Sequence, residues 1–409
     1  MQNFRYLFVI MFAVQFLACN AQKAAVQKPA IKPAEPTKLA MSPELLWDVK
    51  RVTELGLSKD DNYIVYKVST PQVSENSFSS KTYKVNIQSG IIEDVTNPSN
   101  ELHDRNLSPD GKYKLADRAV KVEPVHGFDF HPDLQKSTAQ IYTSLDYRHW
   151  DTWNDGTYNH VLFGSATAAD STYKDILEGM PYNCPQKPFG GSEDYIWSPD
   201  SKSIVYVSKK SKGTQAVQST NTDLYQYDIA TGNTTNLTEA NKGYDVAPSY
   251  SISGDLAYLS MATDGYEADK NDLKVFSKGI TYNLTAQWDE SVQSFIWAKN
   301  GKNLYFTAAV DGTLQLFEVD FPGMTRKLPT VRQLTKGDWD VNDIIGLTGD
   351  LIIVSRVSMN RAAEIYSYNT VSQKWTQLTN VNTDLYKNIA EAKTERRYVT
   401  TTDGKQMLV

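Results

Sequence analysis

Cysteine is nearly absent: the chain of 409 residues has two, Cys19 and Cys184. If Cys19 is modified, no disulfide can form and the fold must rest on packing alone. No run of Lys/Arg with interleaved aromatics occurs, and the net charge is −6. A nucleic-acid partner is therefore disfavoured. Histidine is scarce too, with five: His103, His126, His131, His149 and His160. They include no H-E-x-x-H and no close pair, so no metal is expected and surface and loop histidines suffice; nothing implies a cofactor. G-x-S-x-G is also missing, and the nearest string, Gly190-Gly191-Ser192-Glu193-Asp194, fails its spacing. No nucleophile, general base or oxyanion hole can be assigned.

What is present is a mildly acidic chain, 40% hydrophobic and 11% aromatic, with ample length for a large core. It is built on a repeat. A closing Leu-Thr recurs as Leu237-Thr238, Leu284-Thr285, Leu334-Thr335 and Leu378-Thr379, at intervals of 47, 50 and 44 residues. An opening turn recurs as Leu57-Ser-Lys-Asp, Leu107-Ser-Pro-Asp, Trp197-Ser-Pro-Asp, Tyr250-Ser-Ile-Ser and Trp297-Ala-Lys-Asn. Between such marks, residues 203–208 alternate as a strand, 224–228 read as the next, and 234–238 as the last. Val95-Thr96 resembles the first closing strand, and the 142 residues from Thr96 to Thr238 approach three periods. The expected fold is all-β, a propeller of about seven four-stranded blades, with the Trp and Tyr at the unit openings packing blade on blade.

Ahead of the repeat, Arg5 and the apolar run from Tyr6 to Ala18 have the layout of a signal peptide over residues 1–18. Leu17-Ala18-Cys19 resembles a bacterial lipobox, although Phe16 departs from its aliphatic position. Cys19 is the expected lipidation site, against ordinary cleavage after Ala21. Residues 19–40, rich in Ala, Pro and Lys, read as a disordered tether. The propeller is expected over 41–390, opening with a short helix capped by Ser42 with Pro43 at its first position. Residues 391–409 read as a hairpin turning at Asp403-Gly404 in a two-residue type I′ turn, the incomplete start of a further domain.

The repeat fades between about 119 and 191, where charged and aromatic residues crowd together. Asp146, Arg148, His149, Trp150, Asp151 and Trp153 have the density of a recognition loop. Arg148 could grip a carboxylate or carbonyl, and Asp146 or Asp151 could face an ammonium. Alternatively, Trp150 and Trp153 anchor the loop and Arg148 pairs with Asp151. Glu193 and Glu267 are further acidic candidates, with solvated surface as the plainer reading. At 4 Å and an effective dielectric near 20, a carboxylate attracts an ammonium by about 4 kcal/mol before desolvation. Cys184, in Tyr-Asn-Cys-Pro, reads as a loop thiol.

Together Met41-Ser-Pro-Glu-Leu-Leu-Trp47, Asp146-Tyr-Arg-His-Trp-Asp-Thr-Trp153, Lys187-Pro-Phe-Gly-Gly191 and Asp264-Gly-Tyr-Glu-Ala-Asp-Lys-Asn271 resemble the propeller of bacterial prolyl oligopeptidase family serine peptidases. The resemblance covers residues 41–409. It implies a propeller that gates access to, and helps recognise substrate for, a dipeptidyl- or oligopeptidase of the Gram-negative cell envelope, periplasmic or at the outer membrane. Thr401-Thr-Asp-Gly-Lys405 looks like the opening strand of that family's α/β-hydrolase domain, which would carry the catalytic Ser, Asp and His. This chain alone is expected to be inactive. Implied partners are short peptides, the chain's own hydrolase domain and a membrane through the lipid anchor only, with a homo-oligomer left open. No adjacent Glu-Glu occurs, so the ammonium-holding pair of some relatives is not carried over. The rival reading is a stand-alone periplasmic propeller that binds protein or cell wall, like that of the Tol system.

Overall fold

Ser-x-Asp turns open the first three sheets and Leu-Thr pairs close the third to the sixth in the computed structural model, which describes residues 38–148, 151–323 and 329–409. The expected signal peptide, nearly all of the tether including Cys19, and His149 and Trp150 lie outside the described residues. Residues 39–409 form one unit. The short helix Pro43–Trp47 is present, its Leu45 N–H donating to Ser42 Oγ at 3.3 Å.

Seven sheets are described, five of four strands, one of three and one of two. The first comprises Arg51–Leu57, Tyr63–Gln72, Ser77–Asn86 and Ile92–Asp94. The second has Tyr113–Lys121, Thr157–Ser165 and Lys174–Asp175. The third to sixth open at Tyr195–Trp197, Asp245–Tyr250, Val292–Trp297 and Asp340–Thr348, and the seventh is the terminal hairpin. All neighbouring strands pair antiparallel in sequence order, as propeller blades require. The sheets are not distributed as the spacing suggests. Only one blade, not two, occupies the faded region, because residues 122–156 form a long insertion between its strands. Its innermost strand shrinks to a single bridge, Leu107 with Lys114.

The repeated residues have repeated jobs. In the opening turns Ser58, Ser108 and Ser198 donate Oγ–H to Asp60, Asp110 and Asp200 at 2.5, 2.7 and 2.6 Å. Each serine Oγ also takes the N–H of the residue five positions on. Short polar side chains thus close the turn that the strands need. At the closings, the hydroxyls of Thr238, Thr285, Thr335 and Thr379 accept the N–H of Leu224, Leu273, Leu316 and Ile365. They donate in turn to Asp223, Asp272, Gln315 and Glu364. Each closing strand is therefore clasped to its neighbour by a buried threonine.

Apolar faces then weld sheet to sheet. Leu115, Val161 and Phe163 of the second pack on Ile204, Tyr206 and Tyr227 of the third, and Ala257 and Val275 of the fourth on Phe306 and Phe317 of the fifth. The sixth sheet meets the first through Ile353, Ile365 and Leu378 against Ile64, Tyr66 and Val85. The opening tryptophans also bridge blades: Trp197 Nε1 donates to Asn106 O at 2.8 Å and Trp297 Nε1 to Ser249 O at 3.0 Å. A parallel bridge of Leu39 with Ile389 joins the two ends of the array.

The hairpin Tyr398–Thr400 with Gln406–Leu408 forms, but its turn differs from the expected type I′. Only Gly404, at φ 81°, has positive φ, and Thr401 N–H donates to Lys405 O, so three residues make the loop. It is held by Arg396 to Asp338 at 2.9 Å. Gly312 is favoured by its φ of 76°, and it lies against Leu408, whose Cδ2 would be 2.9 Å from an added Cβ.

Candidate substrate-recognition face

Strand direction alternates within every blade, so the connection after each second strand and the link after each fourth leave by one face. That face collects the irregular segments: the insertion 122–156, the link 176–194, and the loops 209–222 and 261–271. The terminal hairpin is anchored there too, since Gly312 and Asp338 belong to the same set of connections.

Side chains join the segments into a continuous ridge. Lys212 pairs with Glu123, whose Oε2 accepts Tyr158 O–H at 2.5 Å. Burial opposes ionisation of Glu123, but Lys212 and Tyr158 outweigh it and hold the carboxyl below its ordinary range. Burial and the same hydrogen bond push the Tyr158 phenol to about 12. Asp264 Oδ1 accepts Ser219 Oγ–H at 2.6 Å and Thr220 N–H at 2.9 Å, tying the fourth sheet's loop to the third's. Lys209 donates to the carbonyls of Ala216 and Ser219. Burial lowers its ammonium against the opposing charges of Asp264 and Glu267.

Three of the sequence-predicted residues come together in the insertion. Asn154 N–H donates to Asp146 Oδ2 at 3.0 Å, and Tyr142 O–H donates to Asn154 O at 2.7 Å. Tyr142 packs on Trp153 at 5.4 Å, and the Arg148 guanidinium lies over the Trp153 ring at 4.3 Å. Trp153 is 48% exposed. Among the described residues no ion pair is seen between Arg148 and a carboxylate. The exposed Arg148 guanidinium is shelved on an indole.

The other candidates do not join this cluster. Glu193 Oε1 accepts the N–H of Gly191 at 2.9 Å, closing a local turn in the link before the third sheet. Glu267 is exposed on the fourth sheet's loop, where its charge acts on Lys209. Beside Glu193, Asp194 is buried and accepts Gln186 N–H at 2.8 Å. Burial, with the Glu193 charge, pushes it up to about 7. One reading is refined and another corrected. Cys184 does lie in a connection, the link 176–194, but it is buried in the core there, and burial pushes its thiol far up. His160 is a wholly buried strand residue, not a surface one. No cluster of three metal-ligating side chains exists among the described residues. Sequence reasoning missed Glu123, Tyr142, Lys209 and Lys212, whose partners lie far along the chain or belong to the backbone.

No family model matches the chain. Dipeptidyl-peptidase 5 of Porphyromonas gingivalis is 31% identical over 416 residues, covering 90% of this chain and 60% of the relative. Dipeptidyl-peptidase 5 of Porphyromonas endodontalis is 30% identical over 417 residues, covering 90% and 59%. The chain is a β-propeller that is similar over nine tenths of its length to dipeptidyl-peptidase 5. It spans about three fifths of the length of the curated relatives it matches. Among solved structures, an acylaminoacyl peptidase in complex with Z-Gly-Gly-Phe-chloromethyl ketone aligns with TM-score 0.61 at 14% identity, covering 88% of this chain and 57% of that one. Pyrococcus horikoshii acylaminoacyl peptidase aligns with TM-score 0.58 at 15% identity over the same shares. These structures speak for the propeller fold alone.

Proposed function

We propose that the chain is the substrate-gating and substrate-recognition propeller of a serine exopeptidase acting on short peptides, with catalysis supplied by a hydrolase domain seated on the ridge face. The observation that carries this reading is the exposed Arg148 guanidinium on its Trp153 shelf. It is a positioned donor set for a peptide carbonyl or carboxylate, on the face where the terminal hairpin also sits. The hairpin's anchorage supports this over a self-sufficient binding propeller, which would leave 391–409 unattached. Cys19 serves as the lipid anchor at the bacterial cell envelope.

The test uses the protein with a hydrolase domain following this chain. Arg148→Ala lowers kcat/KM for dipeptide release about tenfold, chiefly through KM, the range of one charge-assisted hydrogen bond at a partly wet site. Its Tm stays within about 2 °C. Unaltered kinetics with a large drop in Tm would overturn the role of Arg148. A coding sequence ending naturally at Val409 would overturn the peptidase reading itself.

A further inference from the structure

The second blade, whose innermost strand is reduced to one bridge, has an open backbone edge on that side. In the first blade, Tyr63–Gln72 is flanked by Arg51–Leu57 on one side and Ser77–Asn86 on the other. The equivalent strand of the second, Tyr113–Lys121, has only Thr157–Ser165 as a strand neighbour. On its inner side, pairing ends with Leu107 against Lys114 and with Leu115 N–H donating to Asn106 O at 2.9 Å. Beyond that point the partner strand fixes which way each peptide group faces. Val161 O accepts Ile176 N–H and Asn159 O accepts Cys184 N–H, so both residues turn their backbone groups outward. Their register partners, Asp117 and Ala119, therefore form non-hydrogen-bonded pairs and aim N–H and C=O at the inner edge. Lys121 follows by the same alternation. Among the described residues no partner is seen for the backbone N–H or C=O of Asp117, Ala119 or Lys121. Asp117, Arg118, Ala119 and Lys121 are exposed, so the edge is open to solvent.

We propose that this edge is a strand-addition site for an extended peptide. The peptide pairs antiparallel with residues 117–121, where the other blades carry their own first strand. Five residues at strand spacing span about 17 Å, which suits a peptide of about that length. The outward-facing N–H and C=O recur at every second residue, a pattern that an extended backbone matches. Neighbouring side chains are tied back from the edge. Tyr195 O–H donates to Asp117 Oδ1 at 2.8 Å, and Lys121 pairs with Asp129 at 2.9 Å and donates to Asp155 O at 2.9 Å. Charges such as these and Arg118 blunt an edge against another sheet, which argues against a second copy of this chain as the occupant. A lone peptide strand can adapt its side chains to them. Lys121 runs into the insertion 122–156, so the edge opens onto the ridge face. Main-chain bonds supply the affinity, and the site reads peptide backbone rather than one sequence. The site belongs to the blade itself and holds whether or not the peptidase reading does.

The test titrates the full ¹⁵N-labelled chain with the capped peptide acetyl-Thr-Val-Thr-Val-Thr-amide, followed by nuclear magnetic resonance. The amides of Asp117, Ala119 and Lys121 are expected to shift together and, at saturation, to gain about tenfold or more protection from exchange. The same peptide methylated on every backbone nitrogen has no donors to give and should bind at least about tenfold more weakly. Ala119→Pro removes the central N–H at an edge position that tolerates proline, and should weaken binding of the unmethylated peptide to a similar degree at an unchanged Tm. Absence of shifts at these amides overturns the proposal, and so does equal binding of the methylated peptide. Amides at 117 and 119 that are already protected in the free chain would mean that the edge is covered from within, which also overturns it. Shifts that arise on concentrating the chain alone would assign the edge to a second copy instead. If Ala119→Pro does not fold, the methylated peptide on the wild-type chain still decides.

Discussion

Asn382 binds both backbone groups of Lys50, 332 residues away: Lys50 N–H donates to its Oδ1 at 2.9 Å, and its Nδ2 donates to Lys50 O at 2.9 Å. One buried amide thus imitates a strand neighbour where the first blade meets the segment after the last. Asn382→Ala leaves a backbone donor and acceptor unpaired and should cost about 2–3 kcal/mol, two hydrogen bonds at the upper end of their net value. Asn382→Asp keeps the acceptor and loses the donor, so it should fall between. Urea unfolding measures both, and an alanine variant within about 0.5 kcal/mol of wild type would show that apolar packing alone closes the array.

The threonine clasps offer a graded series. Thr379 Oγ1 lies 2.5 Å from Glu364 Oε2, and burial pushes that carboxyl up even though Thr379 donates to it. Thr379→Val strands both the Glu364 carboxylate and the Ile365 N–H, with an expected cost of about 2–3 kcal/mol. Thr335→Val likewise strands a backbone donor, Leu316 N–H, but its other partner is the neutral Gln315 amide rather than a carboxyl, and it should cost less. Equal costs in chemical denaturation would mean that the acid at 364 is neutral in the fold.

Stability should depend on pH in a defined window. Burial raises Asp194 to about 7 and Asp245 to about 6. Between the unfolded value of about 3.9 and those values, the folded chain binds more protons than the unfolded one. The contribution of these two groups to stability therefore falls as pH rises from about 4 to 7 and is level above. Asp60, Asp110 and Asp129 act oppositely: each is held down to about 2, chiefly by Ser58, Ser108 and Lys121, so what they add is lost toward pH 2. Asp194→Asn can still accept Gln186 N–H and should flatten the decline between pH 4 and 7. A variant slope equal to the wild-type slope would assign the decline elsewhere.

The blades were legible because their framing residues are local. Ser58, Ser108 and Ser198 find their partners within five positions, and each closing threonine acts on the strand just before it. Such contacts leave a periodic trace. The second blade left only its opening turn at Ser108, since its innermost strand is one bridge at Leu107 and the insertion 122–156 fills the space of a period. Within the site, Arg148 and Trp153 were visible as a dense cluster of eight residues, because their contact too is local. Glu123 was not: its partner Lys212 comes 89 residues later, from another blade. Nothing in the spacing distinguishes that glutamate from a solvated one.

The ridge should behave as coupled loops, which Asp264 makes testable. Its carboxylate takes Ser219 Oγ–H and Thr220 N–H from the neighbouring blade, and Gly265 N–H returns a bond to Thr220 Oγ1 at 3.0 Å. Ser219 hydrogen bonding holds the Asp264 carboxyl low, so it is ionised at neutral pH. These contacts are exposed, and Asp264→Ala should move global stability by less than about 1 kcal/mol. Its effect should be local. The segment 209–222 is held by those bonds and by Lys209, whose two carbonyl partners, Ala216 and Ser219, lie inside the same segment. Without Asp264 the loop keeps its internal tie but loses its anchor to the next blade. Limited trypsin digestion should then cut faster at Lys210 or Lys212 by several-fold, at an unchanged unfolding midpoint. Cleavage at the wild-type rate would mean that Lys209 and the Glu123–Lys212 pair fix the loop without help from the fourth blade.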